Sequence, residues 1–436
     1  MQISLNIPKK LEIDIALPAS KSVSNRALLL QALCPKKRYA IANLAVCDDT
    51  DHMLQGVEAK QAGAKLIDIG ATGTAMRFLT AYLAITEGET IITGSERMQQ
   101  RPIGTLVEAL RRLGADITYV NKEGYPPLRI CGKKLQGGTL EIEAGISSQY
   151  ISALLMIAPC LTDGLTLHLK GNIASRTYIE LTLDLMRKYG AAAEWIDEQT
   201  IRVNSGTYED TPLTVEADWS AASYWYELAA IAAHLGHDVD ITLPALTPDS
   251  RQGDRVVAQL FEELGVKTEY SEYGARLTID KKLLTRDKVA FEQDLNNCHS
   301  SIVNFLLEKD FTHCPDIAQT LAVTHCLLGI PYIYKGIHSL RIKETDRVSA
   351  LITELRKLGY VLRAEGDERL IWDGTRCTPN AQPTISTYDD HRMAMAFAPA
   401  ALCYEELSIE HPEVVTKSYP TFWEELKRIE SQKNEN

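Results

Sequence analysis

Residues 110–120, LRRLGADITYV, read as the last turn of an amphipathic helix, then a glycine, then a strand. Gly114 falls just past the helix, where a left-handed residue lets the chain turn back on itself. The same order recurs in VEAKQAGAKLID (57–68), LMRKYGAAAEWI (185–196), LFEELGVKTEY (260–270) and LRKLGYVLRA (355–364), with Gly63, Gly190, Gly265 and Gly359 in the equivalent place. A sixth helical stretch, 422–429, closes the chain without a strand after it. Glycine-capped helices occur in any α/β protein, but copies spread over the whole chain predict an α/β fold assembled from one supersecondary unit. No Pro/Gly/Ser-rich linker separates the copies, so composition marks no domain edge.

The chain has 436 residues, 45% of them apolar, enough for a large core and two or three domains. Its net charge of -12 argues against a nucleic-acid or membrane-surface protein, whose binding face makes the chain basic. Nine cysteines, at 34, 47, 131, 160, 298, 314, 326, 377 and 403, form no CxxC and no framework spacing, which fits free thiols in a reducing compartment. The first eighteen residues alternate apolar and polar like a strand and lack the apolar run of a signal peptide or membrane span. A cytoplasmic location is expected.

Chemistry concentrates where helices begin. In PASKSVSNRALLLQAL (18–33) a strand ends at Pro18 and a helix is expected from about Ser24. Lys21, Ser22 and Arg26 then surround its start, where free backbone N–H groups and the helix dipole favour an anion. A serine cap alone would leave both cations unexplained. In IGATGTAMRFLTAYL (69–83), Gly73 precedes Thr74 and a long apolar helix that carries Arg77. Lacking a side chain, Gly73 would let a phosphate or carboxylate approach the backbone. ERPIG follows, with Arg101 before Pro102 at an expected first helical position. Ser147, Ser148 and Gln149 open another helix and offer hydroxyl and amide groups to a sugar-like hydroxyl or a phosphate, although simple capping accounts for them equally well. Ser175 and Arg176 repeat the theme.

The second half presents charge instead. Asp316 starts an apolar helix, and SLRIKETDR packs Arg341, Lys343, Glu344, Asp346 and Arg347 into seven residues ahead of another. Five charges opening one helix exceed what solubility needs, with a solvated charged face as the alternative reading. YDDHRMAMAFAPAAL sets Asp389, Asp390, His391 and Arg392 before an almost wholly apolar helix, which would turn its charged start to a cleft. Lys417 precedes the last helix. Cys298-His299, His313-Cys314 and His325-Cys326 look like zinc ligands, but adjacent residues point to different faces and rarely chelate as pairs, so no metal is expected.

In their order, PASKSVSNRALLL, GTAMRFL, ERPIG, YPPLRI, SSQYISALLM, PDIAQTLAV, RIKETDR, YDDHRMAMAF and TKSYPTFW resemble the EPSP synthase family, the 3-phosphoshikimate 1-carboxyvinyltransferases, from about residue 10 to 427. The resemblance implies two globular domains, each of three βαβαββ repeats around a pseudo-threefold axis, with the active site in the interdomain cleft. Domain one would comprise residues 1–19 and 218–436, and domain two residues 20–217. The reaction implied is transfer of the enolpyruvyl group of phosphoenolpyruvate to the 5-hydroxyl of shikimate 3-phosphate, in the shikimate pathway to aromatic amino acids. The enzyme would be a monomer without a cofactor.

By motif position, the resemblance assigns shikimate 3-phosphate to Lys21, Ser22, Arg26, Ser147, Ser148, Gln149, Ser175, Asp316 and Lys343. It assigns phosphoenolpyruvate to Lys21, Gly73, Arg101, Gln149, Arg347, Arg392 and Lys417. The expected catalytic groups are Asp316 as base toward the 5-hydroxyl, Glu344 for the C3 proton, and Lys21 in both steps, with His391 a candidate for orienting Glu344. Several positions depart from the pattern: Ala71 where an Asn is usual, Phe78 for a Pro, Arg176-Thr177 for Lys-Pro and Ser339 for an Asn. The stretch between His52 and Asp68 is also short, which predicts one repeat trimmed by a strand or two. Two rivals are an enolpyruvyl transferase acting on UDP-N-acetylglucosamine and a non-catalytic anion-binding relative. The first lacks support in the KSVSNR motif, and the second is disfavoured by the joint presence of Lys21, Asp316 and Glu344.

Overall fold

The computed structural model describes residues 1–5, 7–145, 147–282 and 306–431. The chain divides into two compact units, Met1–Pro18 with Ala217–Asn436, and Ala19–Glu216. Both are built from βαβαββ repeats, the fold class expected from the sequence.

In the Ala19–Glu216 unit, strand Leu66–Asp68, helix Gly73–Ile85, strand Gly88–Thr93 and helix Gly104–Arg112 lead into the strands Asp116–Tyr119 and Leu128–Gly132. The first two strands pair in parallel, and the last strand joins them antiparallel to the third, giving a four-stranded sheet. Residues Gly138–Glu143 through Thr200–Val203 repeat this arrangement around helices Ser148–Ile157 and Arg176–Lys188. The third repeat is reduced: between helices Lys21–Leu33 and Asp48–Gln61 the chain pairs with the end of the unit through an isolated parallel bridge, Ala42 to Thr214. After Gln61 the chain turns at Gly63 directly into Leu66–Asp68, so the closing strand pair is missing where the short 52–68 stretch predicts it.

Among the described residues the other unit holds three repeats, each with its own sheet. Strand Lys10–Asp14 pairs in parallel with Asp238–Pro244, and Leu307–Asp310 with Tyr332–Lys335, each pair extended by two antiparallel strands. In the third, Thr384–Ile385 pairs in parallel with Leu407–Ile409, and Gln2–Ile3 from the start of the chain supplies the antiparallel neighbour. The alternating N-terminal stretch therefore becomes two strands in two different sheets.

Gly63, Gly114, Gly190, Gly265 and Gly359 all have φ between 79° and 95°, the left-handed turn read from the repeats. Gly236 and Gly329 are also left-handed after helices Trp219–His234 and Ala318–Leu328, two further copies of the pattern. Each unit has its own core. That of the three-repeat unit is aromatic, with Tyr332 stacked on Tyr334 at 4.0 Å beside Trp372, whereas Leu29, Leu79, Leu83, Leu154 and Leu183 dominate the other. Helix His391–Phe397 is buried at every residue, as its composition predicts. Two expected helix starts move. The first helix begins at Lys21 with Ser20 as its cap, because the Ser20 hydroxyl accepts from the Val23 amide. Pro102 lies before Ile103, the cap of Gly104–Arg112, and so is not a first helical residue.

Candidate active site

The earlier start of the first helix places Lys21 and Ser22 in its opening turn, where no acidic side chain balances the dipole. The Lys21 ammonium lies 3.0 Å from the carboxylate of Asp49, which stands at the start of the next helix. Arg26 is turned into the core. Its guanidinium donates to the Thr182 and Ser152 hydroxyls and to the Ser22 and Tyr178 carbonyls, between the rings of Phe78 and Tyr178. Burial lowers its pKa to about 10, so it stays charged at neutral pH and holds the Ser22 carbonyl from below.

Gly73 opens helix Gly73–Ile85 between two guanidinium groups. A Cβ there would meet Arg101 at 2.8 and 3.0 Å and Arg77 at 2.9 Å, so only glycine leaves room for both. Arg77 is held in turn by the Gly73 and Pro102 carbonyls. The Gln149 amide donates to the Thr74 hydroxyl at 3.1 Å, linking the SSQ helix start to the GT start. Ser147 caps that helix by accepting from the Gln149 amide N–H, and Ser148 is buried beside it. Ser175 stands at the cap position of helix Arg176–Lys188 in the left-handed region, φ 53°. Arginines, a lysine, hydroxyls and helix N-termini are the donor types that suit phosphate and carboxylate groups.

In the three-repeat unit one guanidinium organises the site. Arg347, 1% exposed, donates to Asp316 at 2.9 Å, to Glu344 at 2.9 Å and to Asp390 at 2.7 Å. Burial disfavours its charge, but Asp390, Glu344 and Asp316 more than offset that, so its pKa is raised. Arg392 donates to the other Asp316 oxygen at 3.0 Å, Lys343 stands 3.5 Å from Asp316, and Lys417 pairs with Glu344 at 2.9 Å. Burial lowers the Lys343 pKa against the pull of Asp316, with Arg347 adding to the fall. Asp390 caps helix His391–Phe397 through the Arg392 amide, and His391 lies 3.7 Å from it. On the far side of Arg392 stand the Ser220 hydroxyl and the buried Asp254, whose pKa burial and Asp316 raise to about 6.

Asp316, Lys343, Glu344, Arg347, Arg392 and Lys417, scattered over about a hundred residues of sequence, thus form one cluster. Lys21, Ser22 and Arg26 share one helix start, and Gly73 adjoins Arg101. Three groups went unassigned in the sequence: Asp49, Arg77 and Asp390. DDTD at 48–51 looks like an ordinary acidic helix start, and nothing local marks Asp49 as a partner of Lys21. Of the zinc-like pairs, Cys298 and His299 lie outside the described residues. His325 is buried against the Tyr334 hydroxyl at 2.8 Å, and the eight described cysteines are free. Among the described residues no group of three or more His, Cys, Asp or Glu could hold a metal ion, and no helix is long and apolar enough to cross a membrane.

The family model for EPSP synthase (3-phosphoshikimate 1-carboxyvinyltransferase) matches residues 5–65 and 57–426. A 3-phosphoshikimate 1-carboxyvinyltransferase of Bacteroides fragilis is 50% identical over 428 residues, covering 98% of each chain. One from Aliivibrio salmonicida is 36% identical over 456 residues, covering 98% of this chain and 99% of the relative. Among solved structures, EPSP synthase from Acinetobacter baumannii superposes with a TM-score of 0.72 at 21% identity, over 98% of both chains. An enolpyruvyl transferase of Streptomyces tendae gives 0.68 at 13% identity, over 98% of this chain and 97% of the other. Fold and sequence together define a transferase. The chain belongs to the EPSP synthase family.

Proposed function

We propose that the two clusters serve one addition–elimination reaction, with Asp316 and Glu344 as its proton-transfer groups. The reaction is transfer of the enolpyruvyl group from phosphoenolpyruvate to shikimate 3-phosphate, in chorismate biosynthesis. The observation that carries the residue assignment is the double grip of Arg347, which sets Asp316 and Glu344 on either side of one guanidinium at 2.9 Å each.

The substrate pair brings two phosphates and two carboxylates. Lys21, Ser22, Ser147, Ser148, Gln149, Ser175, Asp316 and Lys343 bind shikimate 3-phosphate, with Arg26 acting from beneath Ser22. Lys21, Gly73, Arg101, Gln149, Arg347, Arg392 and Lys417 bind phosphoenolpyruvate, and Arg77 backs Gly73. Anionic substrate groups compete for Arg347, Arg392 and Lys343 and so release Asp316 from its ion pairs.

In the addition step Asp316 accepts the proton of the 5-hydroxyl as its oxygen attacks C2 of phosphoenolpyruvate. Glu344, protonated once the anionic groups of phosphoenolpyruvate draw Arg347 and Lys417 away from it, gives a proton to C3, and a tetrahedral ketal phosphate with a methyl group results. In the elimination step the Glu344 carboxylate takes a proton back from C3 and the C2–phosphate bond breaks. The hydroxyl proton ends on the released phosphate, and Lys21, Arg347, Arg392 and Lys417 stabilise the charge that develops there. All the named groups come from one chain and none requires a cofactor. The free thiols favour a reducing compartment, the cytoplasm.

The test is exchange at C3. In deuterium oxide with shikimate 3-phosphate present, the enzyme should wash deuterium into C3 of phosphoenolpyruvate, and Glu344→Gln should not. Undiminished exchange in that variant would remove Glu344 from the mechanism.

A further inference from the structure

Tyr388 and Asp389, neither a glycine, both have φ 55°, two successive left-handed residues immediately before Asp390. Such a turn persists only where its surroundings over-determine it. The restraint comes from the helix that carries Arg347. Glu354, two turns further along Arg347–Lys357 and on the same face, is fully buried. Its carboxylate accepts from the Tyr388 hydroxyl at 2.6 Å, from the Ser386 amide at 3.0 Å and from Lys357 at 2.6 Å, and Lys357 also holds the Thr384 carbonyl at 2.8 Å. Burial and the Glu354 carboxylate push the Tyr388 hydroxyl pKa up, which keeps it a donor.

We propose that Glu354 is a positioning residue: by clamping the strained turn at Ser386 and Tyr388 it delivers Asp390 to Arg347. One helix then grips the turn at two points, Glu354 at its start and Arg347 at its end, where Asp390 receives 2.7 and 3.3 Å hydrogen bonds. The setting of Arg347, and with it the spacing of Asp316 and Glu344, depends on a buried carboxylate that touches neither. The inference rests on the reading of Arg347 as a substrate ligand.

The experiment compares steady-state constants for both substrates in Glu354→Gln, Tyr388→Phe, Tyr388→Gly and Arg347→Lys. Glu354→Gln should raise about tenfold the KM that Arg347→Lys raises, and leave the other substrate's KM in place. Tyr388→Phe, which loses only a hydroxyl near the surface and keeps the fold safe, should do the same about threefold. Tyr388→Gly should lose less than Tyr388→Phe, since glycine adopts the left-handed turn without strain; a merely packed ring predicts the reverse order. If Arg347→Lys moves the shikimate 3-phosphate KM, the assignment of Arg347 to phosphoenolpyruvate falls while the clamp stands, provided Glu354→Gln follows it. Unchanged constants in Glu354→Gln and Tyr388→Phe, a shift in a different substrate from that of Arg347→Lys, or a worse Tyr388→Gly overturns the clamp.

Discussion

Gly73 is packed so closely by Arg101 that a Cβ would lie 2.8 Å from one terminal nitrogen of its guanidinium and 3.0 Å from the other. Arg77 closes the same space at 2.9 Å. Gly73→Ala therefore has to displace one or both cations while leaving the helix behind it intact. The KM for phosphoenolpyruvate should rise about ten- to a hundredfold, the cost of misplacing a binding group by about 1 Å, with the shikimate 3-phosphate KM changed little. Steady-state kinetics with each substrate varied in turn measures this. Equal rises for both would detach Gly73 and Arg101 from phosphoenolpyruvate.

Asp316 sits among three cations and is the proposed base. Asp316→Asn keeps the shape, removes the proton acceptor and leaves Arg347, Arg392 and Lys343 with one anion fewer to hold. Turnover should fall about 10²- to 10⁴-fold while phosphoenolpyruvate, itself an anion, binds at least as tightly as before. Calorimetric titration beside rate measurement separates the two effects. A turnover loss matched by lost binding would make Asp316 a structural counter-ion only.

Lys21 and Asp49 form a pair at 3.0 Å in which Asp49 is nearly buried and Lys21 reaches solvent. Asp49→Asn removes the charged partner seen at 3.0 Å from the ammonium, so it should weaken both substrates, the two that Lys21 is assigned to. Because Lys21 remains partly hydrated, the stability loss should be about 2 kcal/mol, below that of a fully buried pair. Thermal unfolding and substrate titration check the two parts. Unchanged affinities with lowered stability would confine Asp49 to folding.

Acid should weaken the three-repeat unit through His325. Burial lowers its pKa to about 3, whereas an unfolded histidine titrates near 6.5. As pH falls below about 6.5 the unfolded chain takes up a proton that the folded chain refuses until about pH 3. Stability is then lost by about 1.4 kcal/mol per pH unit across that window and is fully present above it. His325→Gln should flatten this slope in denaturant titrations run between pH 7 and 4. An unchanged slope would assign the acid sensitivity to other groups.

The parts of the molecule legible in the sequence are those whose physics is local. A left-handed turn demands glycine whatever surrounds it, so Gly63, Gly114, Gly190, Gly265 and Gly359 mark the repeats before any contact is known. The missing strand pair after Gln61 is legible as a short spacing. Lys21 and Gly73 are legible as anion-binding helix starts, and the family resemblance gives them and Arg347 their ligands. Their partners are not found that way. Asp49 looks like a solvated helix start, Arg77 like the polar face of an apolar helix, and Glu354 in LITELRKLG like surface charge. Each acquires its role from a contact that brings distant segments together: 28 residues apart for Lys21 and Asp49, 34 for Glu354 and Tyr388. The true starts of the helices at Lys21 and Gly104 were likewise set by capping geometry, which composition leaves ambiguous by a few residues.

Acceptor choice tests the central claim most directly. Phosphate release from phosphoenolpyruvate should be rapid with shikimate 3-phosphate and absent with UDP-N-acetylglucosamine under the same conditions. Release only with UDP-N-acetylglucosamine, or with neither acceptor, would contradict it.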